Sequence, residues 1–439
     1  MAERCTPTST KPEPEKAIIV GVDTHTSEWS VDESLAELER LVQTDGGVVV
    51  ARITQRLETP NPRTFVGAGK AEEITQTAQA LQAQLVVFDD ELTPSQQSNL
   101  EHVVGSKIKV IDRTALILDI FAAHATTKEG RLQVNLAQAE YLLPRLRGMW
   151  SHLVREQTRG GIGGRFGMGE SQLEVDRRLV RKRISHLKQE LKTLDTQRKT
   201  QSKARWKSGI YRVALVGYTN AGKSTLLNAL CGSDVYVRDE LFATLDPTTR
   251  TIELQESRKI TITDTVGFIQ KLPTLLVDAF RTTLQEAMNA DLLLEVADAS
   301  DPHVLKELNV VNQTLKEIDA DKIPRLVVLN KCDLVSDADL HNLLRHYPQA
   351  VCISALQKKG LRGLLYHIAQ EASRGDVSMT VGVPYNKGIL MNMLHERCQV
   401  IHEEYKDKGL QATAKIPIRL KKVFEPYQVD AGSIASAEP

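Results

Sequence analysis

Residues 213–227 read VALVGYTNAGKSTLL: four apolar residues, a glycine-bounded loop, then the start of a helix. The loop Gly217-Tyr218-Thr219-Asn220-Ala221-Gly222-Lys223-Ser224 has the spacing GxxxxGKS, and Thr225 opens the helix. Glycines at such positions let successive backbone N–H groups wrap an anion, and the helix N-terminus adds the positive end of its dipole. Lys223 is placed to reach β- and γ-phosphates, and the Ser224 hydroxyl to ligate Mg²⁺. The bare pattern recurs by chance, but in a strand–loop–helix setting a plain turn is the weaker reading. The stretch predicts an α/β domain built around a phosphate-binding loop.

Working outward, the motifs that name the nucleotide follow in order. Ile260–Thr263 is a short strand ending in Asp264-Thr265-Val266-Gly267. A strand-end aspartate can hold Mg²⁺ through water, and the glycine amide can sense a γ-phosphate. Leu326–Leu329 ends in Asn330-Lys331-Cys332-Asp333. The Asp333 carboxylate can accept two hydrogen bonds from a guanine edge, which adenine does not offer, so the wrong base leaves a charge unpaired. Val351–Ile353 leads into Ser354-Ala355-Leu356, placed to offer backbone N–H groups to the guanine oxygen. The ordered set implies GTP and GDP as ligands, Mg²⁺ as cofactor and GTP hydrolysis as the reaction.

Between the first two motifs lies Phe242-Ala243-Thr244-Leu245-Asp246-Pro247-Thr248-Thr249-Arg250, where a threonine should complete the Mg²⁺ shell and make the loop a switch. Spacing leaves Thr244, Thr248 and Thr249 open. Phe268 follows Gly267, at the position where small signalling GTPases carry a water-orienting glutamine. A phenylalanine cannot orient water, so slow intrinsic hydrolysis and outside help are expected.

Composition bounds the rest. At 439 residues the chain exceeds one ordinary core, and 41% hydrophobic with 26% charged residues is normal for globular protein. With 56 basic against 56 acidic side chains there is no global pull towards polyanions. No apolar run reaches membrane-span length and no signal-peptide core precedes residue 17. Five scattered cysteines without a CxxC pair, and eleven histidines without ligand spacing, argue against disulfides and zinc. A cytoplasmic monomer is expected, with peripheral membrane attachment left open.

The chain divides into a polar tail (1–16), an N-terminal α/β domain (17–127), a helical hairpin (128–208), the GTPase domain (209–373), a small α+β domain (374–428) and a second tail (429–439). In the first domain the expected strands are Ala17–Val22, Val48–Ile53, Leu85–Phe88 and Ile108–Ile111, alternating with helices over Leu35–Val42, Ala71–Leu81 and Pro94–Val104. Gly67-Ala68-Gly69-Lys70 imitates a phosphate loop but lacks the spacing, and a turn before a helix is preferred. Leu132–Val154 predicts a long helix interrupted at Pro144, followed by the glycine-rich tip RGGIGGRFGMG (159–169). Beyond it Leu173, Val180, Leu187 and Leu194 recur every seven residues, the mark of packing on a partner helix. Residues 177–207 hold twelve Lys/Arg against Glu190 and Asp195, a local excess that favours a polyanion over a merely solvated face. Near the end, Val377–Val383 alternates, Leu390–Tyr405 reads as helix, and Ala414, Ile416, Ile418 and Leu420 alternate again.

From about residue 17 to 428 the chain resembles the HflX family of ribosome-associated GTPases. The resemblance rests on Gly67 to Ile74, Phe88 to Leu92, Asp112-Arg113-Thr114, Leu132-Gln133-Val134 and Leu143 to Leu146. It rests further on Gly160-Gly161-Ile162-Gly163, Gly169-Glu170, Gln172-Leu173-Glu174, Asp176-Arg177-Arg178, FATLDPTTR (242–250) and DTVGF (264–268). It implies that Thr244 is the switch threonine and, with Lys223 and Gly267, catalytic; that Ser224 and Thr244 ligate the metal; and that Phe242, Ala243, Leu245 and Asp246 lie at the nucleotide. It also implies that the large ribosomal subunit and its rRNA are partners, with the hairpin tip near the peptidyl-transferase centre and stalled ribosomes split under stress. ATP use by the N-terminal domain is attributed to some relatives. At Gly164-Arg165-Phe166-Gly167-Met168-Gly169-Glu170-Ser171 the tip is one residue longer than the family pattern and lacks its proline. Two other readings are a GTP-dependent switch that recruits a protein, and an RNA remodeller using ATP.

Overall fold

The computed structural model describes residues 14–24, 28–105, 107–157, 168–207, 210–232, 241–242, 247–254, 258–273 and 287–429, with backbone alone over 147–157, 168–173 and 197–207. They fall into two compact units, residues 1–191 with 271–279 and residues 192–270 with 280–439.

The first unit opens with β1 (Lys16–Asp23), α1 (Val31–Thr44), β2 (Val48–Arg56), α2 (Ala68–Leu81), β3 (Leu85–Phe88), α3 (Pro94–Val104), β4 (Lys109–Asp112) and α4 (Arg113–His124). Its sheet has the order β2-β1-β3-β4 with all pairings parallel. Ile18 and Val20 of β1 join Ile53, Val86 and Phe88 in one core, while Ala17 and Ile19 are equally buried. A strand covered on both faces reads as a continuous apolar run. Helix starts are set locally: Ser30 with Glu33, and Thr93 with Gln96, form capping boxes for α1 and α3, and Asp112 caps α4. Gly67 is the N-cap of α2, and of the turn expected over residues 67–70 only Gly67 lies outside the helix, which starts at Ala68.

Arg113 is buried with Asp89 and Glu37 at 2.8 Å each, and Lys271 Nζ, which belongs to this unit, lies 2.6 Å from Asp89 and 2.5 Å from Asp90. Burial would raise the Asp89 carboxyl, yet Arg113 and Lys271 together hold it below the ordinary range. These acids edge a cavity of about 330 Å³ at the carboxyl ends of β1 and β3, lined also by Thr24, Trp29 and Phe65.

α5 (Lys128–Gln157) and α6 (Met168–Lys207) are the two long helices expected on either side of the glycine-rich tip. They lie side by side where Lys188 Nζ approaches Glu140 at 2.8 Å and Leu187 is buried. The break expected at Pro144 does not occur, and α5 runs straight through it. Arg145 stacks 3.5 Å above the Tyr141 ring, donates to Tyr141 O at 3.1 Å and reaches Leu92 O and Asp112, tying that turn to the domain. Local packing thus outweighs the lost helical hydrogen bond. The tip residues 158–167 lie outside the described residues.

The second unit contains β5 (Tyr211–Gly217), α7 (Lys223–Cys231), β6 (Thr248–Glu253), β7 (Lys259–Asp264), β8 (Leu292–Asp298), α8 (Val304–Glu317), β9 (Arg325–Asn330), α9 (Asp337–His346), β10 (Val351–Cys352) and α10 (Leu361–Ser373). The sheet order is β10-β9-β8-β5-β7-β6, parallel except for the antiparallel β6. β5 is flanked by β7 and β8, so successive connections leave it in opposite directions. A crevice at such strand ends is where open α/β sheets bind ligands.

The unit ends with β11 (Val377–Pro384), α11 (Gly388–Arg397), β12 (Gln399–Lys406), β13 (Gly409–Ile416) and α12 (Ile418–Phe424), with the antiparallel order β11-β13-β12. Two expectations are corrected here. The helix expected over Leu390–Tyr405 stops at Arg397, because Val400, Ile401 and Tyr405 suit a strand and residues 407–408 return it to β13 as a tight hairpin. Ile418 and Leu420 are helical rather than extended, because Pro417 removes a ladder donor and starts α12. Arg258–Asp376 and Arg419–Asp291 ion pairs join this small sheet to the larger one.

Candidate guanine-nucleotide site

The glycine loop sits at the carboxyl end of β5, and its backbone explains its glycines. Gly217 has φ +149° and a Cβ there would lie 2.1 Å from Val296 O; Gly222 has φ +88° and a Cβ would lie 2.3 Å from Asn330 Nδ2. Neither position tolerates a side chain. Asn220 also takes a left-handed φ of 59°.

Lys223, only 6% exposed, donates from Nζ to Gly217 O at 3.1 Å and Tyr218 O at 2.7 Å. Burial pulls its ammonium down to about 8. A buried cation held by two loop carbonyls at a helix N-terminus suits an anion. Ser224 Oγ donates to Asp264 Oδ2 at 2.6 Å, which brings together the two groups expected at Mg²⁺. Thr219 Oγ1 is buried without a hydrogen-bond partner among the described residues. Ala221 is buried, and Thr225 follows Ser224 in the first turn of α7.

The Asp264–Gly267 segment lies against this loop. A Cβ on Gly267 would meet Thr219 Cα at 2.9 Å and Lys223 Nζ at 3.0 Å, so only glycine allows the approach. Thr265 Oγ1 donates to Leu215 O at 2.6 Å, and Val266 is buried. Phe268 is 1% exposed and bonds the loop through its backbone, N–H to Gly217 O at 3.0 Å and O from Thr219 N–H at 2.8 Å. Its ring is core, not a solvent-facing group.

The motifs expected to read the base converge on the same end of the sheet. Asn330 is the staple: Nδ2 donates to Ala221 O at 2.9 Å and Oδ1 accepts from Ala355 N–H at 3.0 Å, joining three loops. Lys331 is left-handed at φ 60° and pairs with Asp298 at 2.6 Å. Cys332 packs under the loop, its N–H on Ile353 O and its thiol on Leu329 O, both at 3.1 Å. Burial pushes that thiol up to about 12. Asp333 is exposed and accepts from Gln357 Nε2 at 3.1 Å. Ser354 Oγ accepts from Gln357 N–H at 3.1 Å, and Leu356 is 80% exposed beside them. Asn330 was legible as part of a motif, whereas Gln357 carried no signal beyond lying three residues after Ser354.

The switch stretch is placed only in part. Phe242 is buried with φ 56°, while Ala243, Thr244, Leu245 and Asp246 lie outside the described residues. Thr248 and Thr249 belong to β6, where Thr248 pairs with Asp264 and the Thr249 hydroxyl meets Thr263 Oγ1 at 2.9 Å.

Family models match three consecutive stretches: "GTP-binding GTPase N-terminal" over 32–122, "GTP-binding GTPase Middle Region" over 124–205 and "50S ribosome-binding GTPase" over 212–331. GTPase HflX of Caldanaerobacter subterraneus subsp. tengcongensis is 44% identical over 408 residues, 93% of this chain and 92% of that protein. The chain belongs to the GTPase HflX family. GTPase HflX of Escherichia coli K12 is 43% identical over 390 residues, covering 88% of this chain and 90% of its own. A solved GTP-binding protein from Sulfolobus solfataricus in complex with GDP matches with TM-score 0.42 and 26% identity, over 82% of this chain and 99% of that one. As a member of the HflX family this is a GTP-binding, GTP-hydrolysing enzyme, multidomain α/β in fold. Among the described residues no helix is long and apolar enough to cross a membrane.

Proposed function

We propose that this GTPase binds the large ribosomal subunit through the basic arm α6 and uses GTP to split stalled ribosomes under stress. The observation that carries the reading is the charge on that arm. Arg178, Arg181, Lys182 and Arg183 are all exposed along consecutive turns, within a stretch holding twelve Lys/Arg against two acids. A row of cations on an exposed helix fits the regular negative charge of an rRNA backbone. The match of residues 212–331 to a family described as 50S ribosome-binding supports the same partner.

At the nucleotide, Lys223 would hold the β- and γ-phosphates, Gly267 N–H would sense the γ-phosphate and Asp333 would read guanine. Ser224 and Asp264, already hydrogen-bonded to each other, would hold Mg²⁺ together with Thr244. Mg²⁺ supplies charge neutralisation to the phosphate oxygens when bound. The buried Phe268 ring cannot orient water, so the ribosomal subunit is the expected activator.

The test is sedimentation of ribosomes through sucrose with the protein plus GDP or a non-hydrolysable GTP analogue. The parent should co-sediment with the large subunit and shift 70S particles to subunits with the GTP analogue. Replacing Arg177, Arg178, Arg181, Lys182 and Arg183 by glutamine should weaken binding and flatten its salt dependence. Ribosome affinity equal to the parent's across a salt titration would reject the arm as the rRNA-binding element.

A further inference from the structure

The segment between Asp264 and Lys271 must present Gly267 N–H to a phosphoryl group with sub-ångström accuracy, yet it is irregular chain. It is held at both ends by buried side-chain hydroxyls. On one side Thr265 Oγ1 donates to Leu215 O at 2.6 Å. On the other, Gln270 N–H donates to the phenolic oxygen of Tyr218 at 2.9 Å. Between these anchors Phe268 forms a parallel bridge with Tyr218. Tyr218 is 5% exposed and Gln270 is buried, so the bond is shielded from water.

Tyr218 is counted among the phosphate-loop residues, but such a loop uses backbone amides and has no use for a phenol. Its hydroxyl points instead to the segment that carries Gly267. We propose that Tyr218 is a positioning residue for hydrolysis: its hydroxyl fixes residues 268–270 on the glycine loop and so aims the Gly267 amide at the γ-phosphate. The contact is selective by design. It bears most directly on the segment that carries Gly267, so it weighs on GTP more than on GDP. This rests on the assignment of Gly267 to the γ-phosphate, and the experiment below separates the two.

The full-length Tyr218→Phe protein keeps the ring and loses the phenolic hydroxyl that accepts from Gln270 N–H. Hydrogen exchange at the Gln270 amide should accelerate about three- to tenfold, the scale of one buried hydrogen bond. Affinity for a non-hydrolysable GTP analogue and the single-turnover hydrolysis rate should each fall about three- to tenfold, with GDP affinity within about twofold of the parent. Unchanged exchange would mean the bond is not formed. Faster exchange with an unaltered GTP-to-GDP preference would overturn the positioning role, and so would equal losses for GDP and GTP. Gly267→Ala serves as the second arm: if it leaves the GTP-to-GDP preference intact, the assignment of Gly267 fails. If Gly267→Ala abolishes that preference and Tyr218→Phe does not touch it, only the Tyr218 proposal falls.

Discussion

Two glycine–lysine turns lead into helices in this protein, one in each parallel sheet domain, and they differ in everything but letters. Gly67 caps α2, whose first turn holds Ala68, Gly69 and Lys70, and the loop from Gly217 to Gly222 leads into α7, which Lys223 opens. Gly67 has an ordinary extended backbone (φ −64°), and Gly69 has nothing within 4 Å of where a Cβ would be. Gly217 and Gly222 have positive φ and no room for a methyl group. Lys70 forms a helical pair with Glu73 at 2.7 Å, near the surface. Lys223 is buried and turned inward onto two carbonyls. A phosphate loop is thus a backbone conformation that demands glycine and hides its lysine, and a short glycine–lysine string promises neither.

The contrast is open to direct attack. Lys223→Ala should lower GTP hydrolysis by about two to three orders of magnitude, the scale of deleting one preorganised charge donor. Lys70→Ala should leave phosphate release within about twofold of the parent, as expected of a surface pair. A large loss from the Lys70 variant would erase the distinction.

The second turn, unlike the first, is stapled by Asn330 to the loops expected to read the base. Asp333→Asn should cost about two orders of magnitude in GTP affinity, since a charged acceptor for two donors is lost. The same protein should gain affinity for xanthosine triphosphate, measurable by competition against a fluorescent GTP analogue. GTP affinity equal to the parent's removes Asp333 from the base site.

Methyl groups compare the two backbones. Gly222→Ala should destabilise the second unit by about 1–3 kcal/mol, combining a strained φ with collision against Asn330. Gly67→Ala meets only the flexible Gln55 amide, at 3.0 Å, and should cost less than about 1 kcal/mol. Thermal unfolding of both variants side by side gives the ratio, and similar losses would contradict the backbone argument.

The smallest effect concerns protons. With Lys223 near 8 in the free protein and fully charged against phosphate, GDP binding at pH 8 should take up about half a proton. The sign follows from the depressed value: below pH 8 the free lysine is already charged and uptake vanishes, while above it affinity falls as pH rises. Calorimetry in buffers of different ionisation enthalpy measures it, and zero uptake at pH 8 would mean the free ammonium is not perturbed.

What the sequence determined by itself is local in the chain. The glycine loop, DTVG, NKCD and SAL are runs of three to eight residues whose chemistry follows from neighbours along the backbone. The nucleotide and the α/β alternation were legible for that reason. Tertiary structure decided what depends on residues far apart. The Tyr218 hydroxyl meets a residue 52 positions later, Asn330 reaches back 109 positions to Ala221, and Lys271 reaches Asp89 across 182. It also decided which of two allowed periodicities won. Leu390–Tyr405 suits a helix in isolation, but its second half pairs with β13 and becomes strand because a full antiparallel ladder outweighs weak propensity. Pro144 stays inside a helix because Arg145 finds Tyr141, Leu92 and Asp112. Propensities act over a few residues and a few tenths of a kcal/mol, whereas buried hydrogen bonds and packing are each worth about 1 kcal/mol or more and are fixed only when distant segments meet.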